Sequence, residues 1–335
     1  MWEFLGRRLI LLCFTVIAIT VVSFVIITLP PGDFVDRIAY EAEQNGDRLT
    51  EDQIADLRRF YGLDEGLFVQ YRKWMEGMIF RSDFGFSFGW DLPVADVIGQ
   101  RIGLTALLSI LTLMFIWIVA IPIGIYSAVR QYSLGDYVFT FVGFIGLAIP
   151  NFLLALVLLY VSFKYFGQSV GGLFSPEYVN APWSVARVGN LISHLWIPLI
   201  VLGTAGTASV IRTIRANLLD ELYKPYVLTA RARGLDERRL TLKYPVRHSL
   251  NPFVSGLNDI FVNIISGETV VAVVLGLQTV GPLLLTALKA EDMYLAATLI
   301  MFLSFLAVVG TLFSDLLLMA LDPRLRRNVQ NREVM

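Results

Sequence analysis

The chain has 335 residues, of which 56% are hydrophobic and 16% charged, with a formal charge of −1 and a mean hydropathy of +0.65. A soluble domain carries about 45–50% apolar and about 25% charged residues, so a pair of soluble domains is excluded, and this much apolar surface excludes a disordered chain. A single cysteine excludes a disulfide scaffold, and near-neutral charge gives no general attraction to nucleic acid; what remains is a membrane protein.

About 18 apolar residues are needed for a helix to cross a bilayer. Leu9–Leu29 supplies the first such stretch, preceded by Arg7 and Arg8. It is longer than the apolar part of a signal peptide, and the chain continues Leu29-Pro30-Pro31-Gly32 without a small-residue cleavage site, so it reads as an uncleaved anchor. Cys13 inside it reads as a small buried apolar side chain. The polar segment 30–101 follows. Thr50 there has the setting of a helix N-cap, with Gln53 completing a capping box and Leu49 placed to staple onto Ile54. Ile54, Leu57 and Tyr61 fall on one face, and Gly62 is placed to end the helix. A second amphipathic stretch carries Phe68, Tyr71, Trp74, Met75 and Met78. It suits an interfacial helix at headgroup level or a docking surface for an extracytoplasmic partner.

Further spans are expected at Ile102–Tyr126, Tyr137–Phe163, Leu195–Ile211, Phe253–Leu275 and Met293–Leu321, the fourth short and carrying Pro198, Gly203 and Gly206, so that its ends are the least sharply marked. Six spans put both termini on one side. Sixteen Lys and Arg fall on that side, against Lys164, Arg187 and Lys289 in the opposite short loops, so the positive-inside rule makes both termini cytoplasmic. The expected organisation is 1–29 as N-terminus and first span, 30–101 as an extracytoplasmic segment, 102–321 as the core with a cytoplasmic loop at 212–248, and 322–335 as a cytoplasmic tail.

The loop Arg212–His248 is long and basic. Within it, Pro225 through Gly234 has the punctuation of one short helix, since proline suits the first helical position and glycine the residue just past the end. Tyr226, Ala230 and Arg233 share a face, and Ala230 and Gly234 keep that surface low enough for close approach by another protein. Partner docking and anchoring to anionic lipid both fit this loop.

The run Tyr226-Val227-Leu228-Thr229-Ala230-Arg231-Ala232-Arg233-Gly234-Leu235, followed by Glu237-Arg238-Arg239, resembles the cytoplasmic loop of ABC-importer permeases, in particular the dipeptide/oligopeptide/nickel branch. Gly62-Leu63-Asp64, Val69-Gln70-Tyr71 with Trp74, and Asp83-Phe84-Gly85 with Ser87 are similar to that family's outer segment. Asp315 and Asp322-Pro323-Arg324 are similar to its ending. Leu228 stands where the general loop motif has a glutamate, as is usual in this branch, and Gly66 and Gly103 replace two prolines.

The resemblance implies an all-α polytopic membrane protein with six transmembrane helices, a type I importer-like permease with an extended extracytoplasmic segment between spans one and two. Tyr226, Thr229, Ala230, Arg231, Ala232, Arg233 and Gly234 would form the coupling helix seated on an ATPase subunit. The implied partners are a second homologous permease, two ABC ATPase subunits and an extracytoplasmic solute-binding protein, in a prokaryotic inner membrane. The implied solute is a di- or oligopeptide.

A charge inside a span costs several kcal/mol on most scales and needs a partner or a wet path. In the fifth span Asn263 and Ser266 each fall within about 40° of Asp259 at 100° per residue, a polar stripe that fits a translocation path. Glu268 is about 180° from Asp259, and it and Asp315 read better as structural. His194 and His248 sit at span edges without metal-ligand spacing. No glycine is followed by lysine, so the chain has no P-loop, and it shows no nucleophile elbow. No cofactor is expected in this chain; ATP and Mg would be held by the partner ATPases. A stand-alone secondary transporter or channel is the alternative, and it would favour inverted repeats and broken helices.

Overall fold

The computed structural model describes residues 2–28, 32, 34–44, 46–47, 49–167, 171–255 and 269–321. In chain order the elements are α1 (Trp2–Thr28), α2 (Phe34–Gln44), α3 (Glu51–Tyr61), α4 (Leu67–Arg81), β1 (Phe86–Ser87), β2 (Leu92–Pro93), α5 (Val94–Val129), α6 (Leu134–Ala148), α7 (Asn151–Phe166), α8 (Val185–Leu222), α9 (Pro225–Ala232), α10 (Glu237–Lys243), α11 (Pro245–Ser255), α12 (Thr269–Leu275), α13 (Val280–Lys289) and α14 (Met293–Leu321). The fold is helical apart from the antiparallel ribbon β1–β2, which pairs Phe86 with Pro93 and Ser87 with Leu92. Among the described residues α5, α8 and α14 are each long and apolar enough to cross a membrane. The number rises to five if two pairs of shorter apolar helices, α6 with α7 and α12 with α13, count as one span each. Helix α1 carries a shorter apolar stretch, Ile10–Val25. Cys13 is exposed on it, not buried as expected, because apolar residues on this helix also face outward, Phe14 and Ile17 among them.

The chain divides into two compact units. One comprises Ala106–Gln278 with Met1–Phe4 and Val309–Met335. Its spine is α8, against which α6, α7 and α11 pack. The glycines of this span admit neighbouring side chains. A Cβ on Gly203 would lie 2.5 Å from the Phe115 ring, and one on Gly206 would lie 2.6 Å from Ile116. A Cβ on Gly146 of α6 would meet Thr204 at 2.4 Å. The helix continues through Pro198 for 38 residues, so the expected bounds Leu195–Ile211 are too short at both ends. Arg212 and Arg215 therefore belong to a helix and not to the loop.

The expected third span, Tyr137–Phe163, is not one straight helix: α6 and α7 meet at 104°. Pro150 has no N–H to continue the ladder and drives the preceding residue out of the helical region, and Ile149 is extended at φ −82°, ψ 123°. Arg187, counted in sequence as an outer-loop charge, is 1% exposed. Its guanidinium lies 4.7 Å from the Phe174 ring centre and 4.5 Å from that of Trp183, and it donates to the carbonyls of Val179 (3.0 Å) and Ala181.

The other unit comprises Leu5–Thr105 and Thr279–Val308. The capping box forms at Thr50: its N–H donates to Gln53 Oε1 at 2.8 Å and its hydroxyl accepts from Gln53 N at 3.3 Å. Gly62 ends α3 at φ 67°, and Ile54 and Leu57 are half-buried. Helix α4 buries Trp74 with Phe24 of α1 and Met293, Ala297 and Met301 of α14, flanked by Tyr71, Met75 and Met78. Tyr71 shares a 2.9 Å hydrogen bond with Thr20, and Trp74 Nε1 donates to Phe84 O at 3.0 Å. Phe68, expected on the same apolar face as Trp74, is 77% exposed. It lies six residues before Trp74, about 120° away around the helix.

Asp83-Phe84-Gly85 and Ser87 are tied down by a residue with no place in the sequence reading. Asp292, fully buried, accepts from Ser87 Oγ (2.5 Å), Gly89 N (3.0 Å) and Leu295 N (3.3 Å), so one carboxylate holds the 83–93 loop and the first turn of α14 together. Asp292→Ala should leave the buried Ser87 hydroxyl and Leu295 N–H unpaired and destabilise the unit by about 2–3 kcal/mol. Thermal unfolding in detergent measures it, and an unchanged midpoint would contradict the clamp.

Candidate coupling site

The expected helix is present as α9, with Pro225 at its first position, Arg233 as C-cap and Gly234 just beyond at φ 76°. Eight residues make a marginal helix alone in water, and the surrounding contacts hold it. Val227 is fully buried. The Tyr226 hydroxyl donates to the Glu221 carboxylate, which also receives Lys224, and the Tyr226 ring meets His248 edge-on at 5.6 Å. Burial, and then the hydrogen bond to Glu221, push the Tyr226 phenol above its ordinary pKa, so it stays a donor.

Tyr226 and Ala230 are half-buried and turn toward the protein; the outward surface is Leu228, Thr229, Arg231, Ala232, Arg233 and Gly234. The physical reason is that the end of α8 and α11 supply Glu221 and His248 as partners on the Tyr226 side. Thr229 satisfies its hydroxyl on Pro225 O at 2.9 Å, leaving its methyl outward. Arg231 is engaged by Glu237 at the start of α10. That helix is capped by Asp236, which accepts from Arg239 N at 3.3 Å.

The site stands on α8, and α8 is locked to α6 by a pair that the sequence reading missed. Arg215 Nε donates to Asp136 Oδ1 at 2.9 Å and Nη2 to Oδ2 at 2.8 Å, a bidentate fork. Asp136 is 2% exposed and also accepts from Tyr132 N at 3.0 Å, while Ser133 Oγ caps α6 by accepting from Asp136 N at 3.2 Å. The signal for Asp136 was available: Ser133-x-x-Asp136 is a capping pattern. Its partner was not, because Arg215 is 79 residues away and in sequence is one of a run of basic residues.

Asp259, Asn263, Ser266 and Glu268 lie outside the described residues, as does Asp322-Pro323-Arg324. Asp315 is half-buried in α14. His194 is buried with Nδ1 2.8 Å from Asn190 O. Among the described residues no three His, Cys, Asp or Glu side chains cluster as a metal site.

The site is thus a short helix with an exposed outer surface, set at the end of α8, which is itself braced to α6. Residues 120–327 match the profile of the binding-protein-dependent transport system inner membrane component, and residues 1–109 match the N-terminal profile of the same membrane component. The chain belongs to this family. The permease is 33% identical over 97% of its length to the oligopeptide transport system permease protein AppB of Bacillus subtilis, covering 99% of that protein. It is 29% identical to the oligopeptide transport system permease protein OppB of Mycobacterium tuberculosis, over 79% of this chain and 82% of that one. With the nickel import system permease protein NikB of Staphylococcus aureus it shares 26% identity over 97% of this chain and 92% of the relative. It is thus an ABC-importer permease of the peptide/nickel group.

Proposed function

We propose that the permease is one transmembrane subunit of an ATP-driven, binding-protein-dependent importer of di- or oligopeptides. It would form half of the translocation path with a second, related permease. The observation that carries this reading is α9: its Tyr226–Val227 side is fixed to the protein, and Leu228, Arg231, Ala232 and Arg233 are left facing outward. Two separate ATPase subunits would bind ATP and Mg and seat α9, and an extracytoplasmic binding protein would deliver the solute. ATP binding would favour the closed ATPase pair and carry α9 with it, a shift between two states driven by differential binding. Because Arg215 fastens α8 to α6, motion at α9 would pass to both helices together. In this reading the chain has six spans in the inner membrane with both termini cytoplasmic, α1 is the first, and α6 with α7 is the third. The 30–101 segment is extracytoplasmic, and the Asp259, Asn263 and Ser266 stripe lines the path. The oligopeptide names of AppB and OppB support the solute class.

The test is purification of the tagged permease from its native membrane in a gentle detergent, followed by mass spectrometry. Two P-loop ATPases and a six-span relative are the expected companions, with the binding protein identifying the solute. A homo-oligomer reproducibly free of ATPase in several detergents would favour a stand-alone transporter instead.

A further inference from the structure

Between α6 and the second half of α8, within one unit, runs a groove of about 250 Å³. Its walls are Phe139, Thr140, Gly143, Phe144 and Leu147 on one side and Ala208 and Ile211 on the other, and it closes at one end on Asp136, Arg212 and Arg215. From Asp136 to Leu147 the groove follows α6 for roughly 16 Å at 1.5 Å per residue. Its two ends differ in chemistry. The far end is apolar and open to the outside, with Phe144 53% and Leu147 41% exposed. The near end carries two guanidiniums and one carboxylate, and that carboxylate is saturated by Arg215. Arg212 is exposed, and among the described residues no hydrogen bond or ion pair holds it.

We infer that this groove is a binding site for one anionic phospholipid of the cytoplasmic leaflet, with an acyl chain along α6 and the phosphate on Arg212. Charge complementarity selects the headgroup, since the near end has one positive charge in excess and no acid to cancel it. The rest of the groove is lined mostly by apolar side chains over roughly 16 Å, which suits an acyl chain lying along α6. A partner helix without an acid at this level would leave the Arg212 charge against an apolar surface, which costs several kcal/mol. Basic pockets between helices at the cytoplasmic side are where acidic headgroups are held. The inference rests on the cytoplasmic placement of the α5–α6 connection proposed above. Lipid retention in detergent is read without reference to sidedness, so a wrong topology and a wrong site give different results.

The full-length permease, with whatever subunits accompany it, would be delipidated in mild detergent and titrated with dioleoyl phosphatidylglycerol or dioleoyl phosphatidylcholine, with retained lipid counted by native mass spectrometry. The unaltered chain should prefer phosphatidylglycerol, and Arg212→Gln should reduce its retention about fivefold, as expected for one surface cation, while leaving phosphatidylcholine unchanged. Thr140→Trp, which fills the groove and keeps Arg212, should reduce it as well. Equal retention of the two lipids by the unaltered chain overturns the inference. So does full retention of phosphatidylglycerol in Arg212→Gln, a surface change that does not depend on the core. Full retention in Thr140→Trp leaves only a surface charge effect and overturns the acyl groove. Efficient cross-linking of Phe144→Cys to a second permease subunit, unaffected by phosphatidylglycerol, assigns the groove to a subunit interface and overturns it too.

Discussion

Arg215→Met should destabilise the permease more than Asp136→Asn does, although the two changes break the same pair. The asymmetry comes from burial. The Asp136 side chain is 3% exposed and that of Arg215 is 27% exposed. Removing the cation strands a buried carboxylate whose remaining partners are neutral, the Tyr132 N–H among them, a loss of about 3–5 kcal/mol. Removing the carboxylate's charge leaves a guanidinium that can still reach solvent, and the expected loss is about 1–2 kcal/mol. Arg215→Lys keeps the charge but not the fork, and should fall between them. The double variant Asp136→Asn with Arg215→Met should recover part of the Arg215→Met loss, because the stranded charge is gone. Unfolding midpoints of the four variants in one detergent measure the order. A midpoint for Arg215→Met equal to that of the unaltered chain would remove the brace between α6 and α8.

Gly234→Val should abolish solute uptake and loosen the ATPase subunits while the chain still inserts in the membrane. The reason is conformational and local. Gly234 has φ 76°, and an added Cβ would meet nothing within 4 Å, so the substitution makes no clash and disturbs no core. It places a β-branched residue where such residues are outliers, at a cost of about 1–3 kcal/mol, and that strain is relieved only by unwinding the end of α9. A shift of about 1.4 kcal/mol is tenfold in an equilibrium, so uptake and ATPase retention should each fall by about tenfold or more. Gly234→Asn, which tolerates the left-handed region, should be near normal, and Gly234→Ala intermediate. Normal uptake with valine would count heavily against α9 as the coupling element.

Much of the architecture was legible before any coordinates. Helix punctuation is a local property, and it was read correctly where the chain supplies its own caps: Thr50 with Gln53, Gly62, Pro225 and Gly234 all sit where their side-chain chemistry places them. The family was legible for the same reason, since the loop motif and the outer-segment motifs are short runs of adjacent residues. Sequence alone also determined that the protein belongs in a membrane, because composition decides which solvent a chain can bury itself in.

What only the tertiary structure decided is which face of each element is occupied and what each charged group is for. Periodicity put Tyr226, Ala230 and Arg233 on one face but could not say that Glu221 and His248 would claim the Tyr226 side and turn the exposed surface toward Leu228 and Arg231. Gly203 and Gly206 only blurred the ends of their span in sequence; the fold shows Phe115 and Ile116 filling the space they leave. Asp292 and Arg215 were individually unremarked because their partners, Ser87 and Asp136, lie 205 and 79 residues away. A local signal specifies a backbone conformation through neighbours along the chain; a buried carboxylate is specified only by whatever the fold brings within hydrogen-bonding distance.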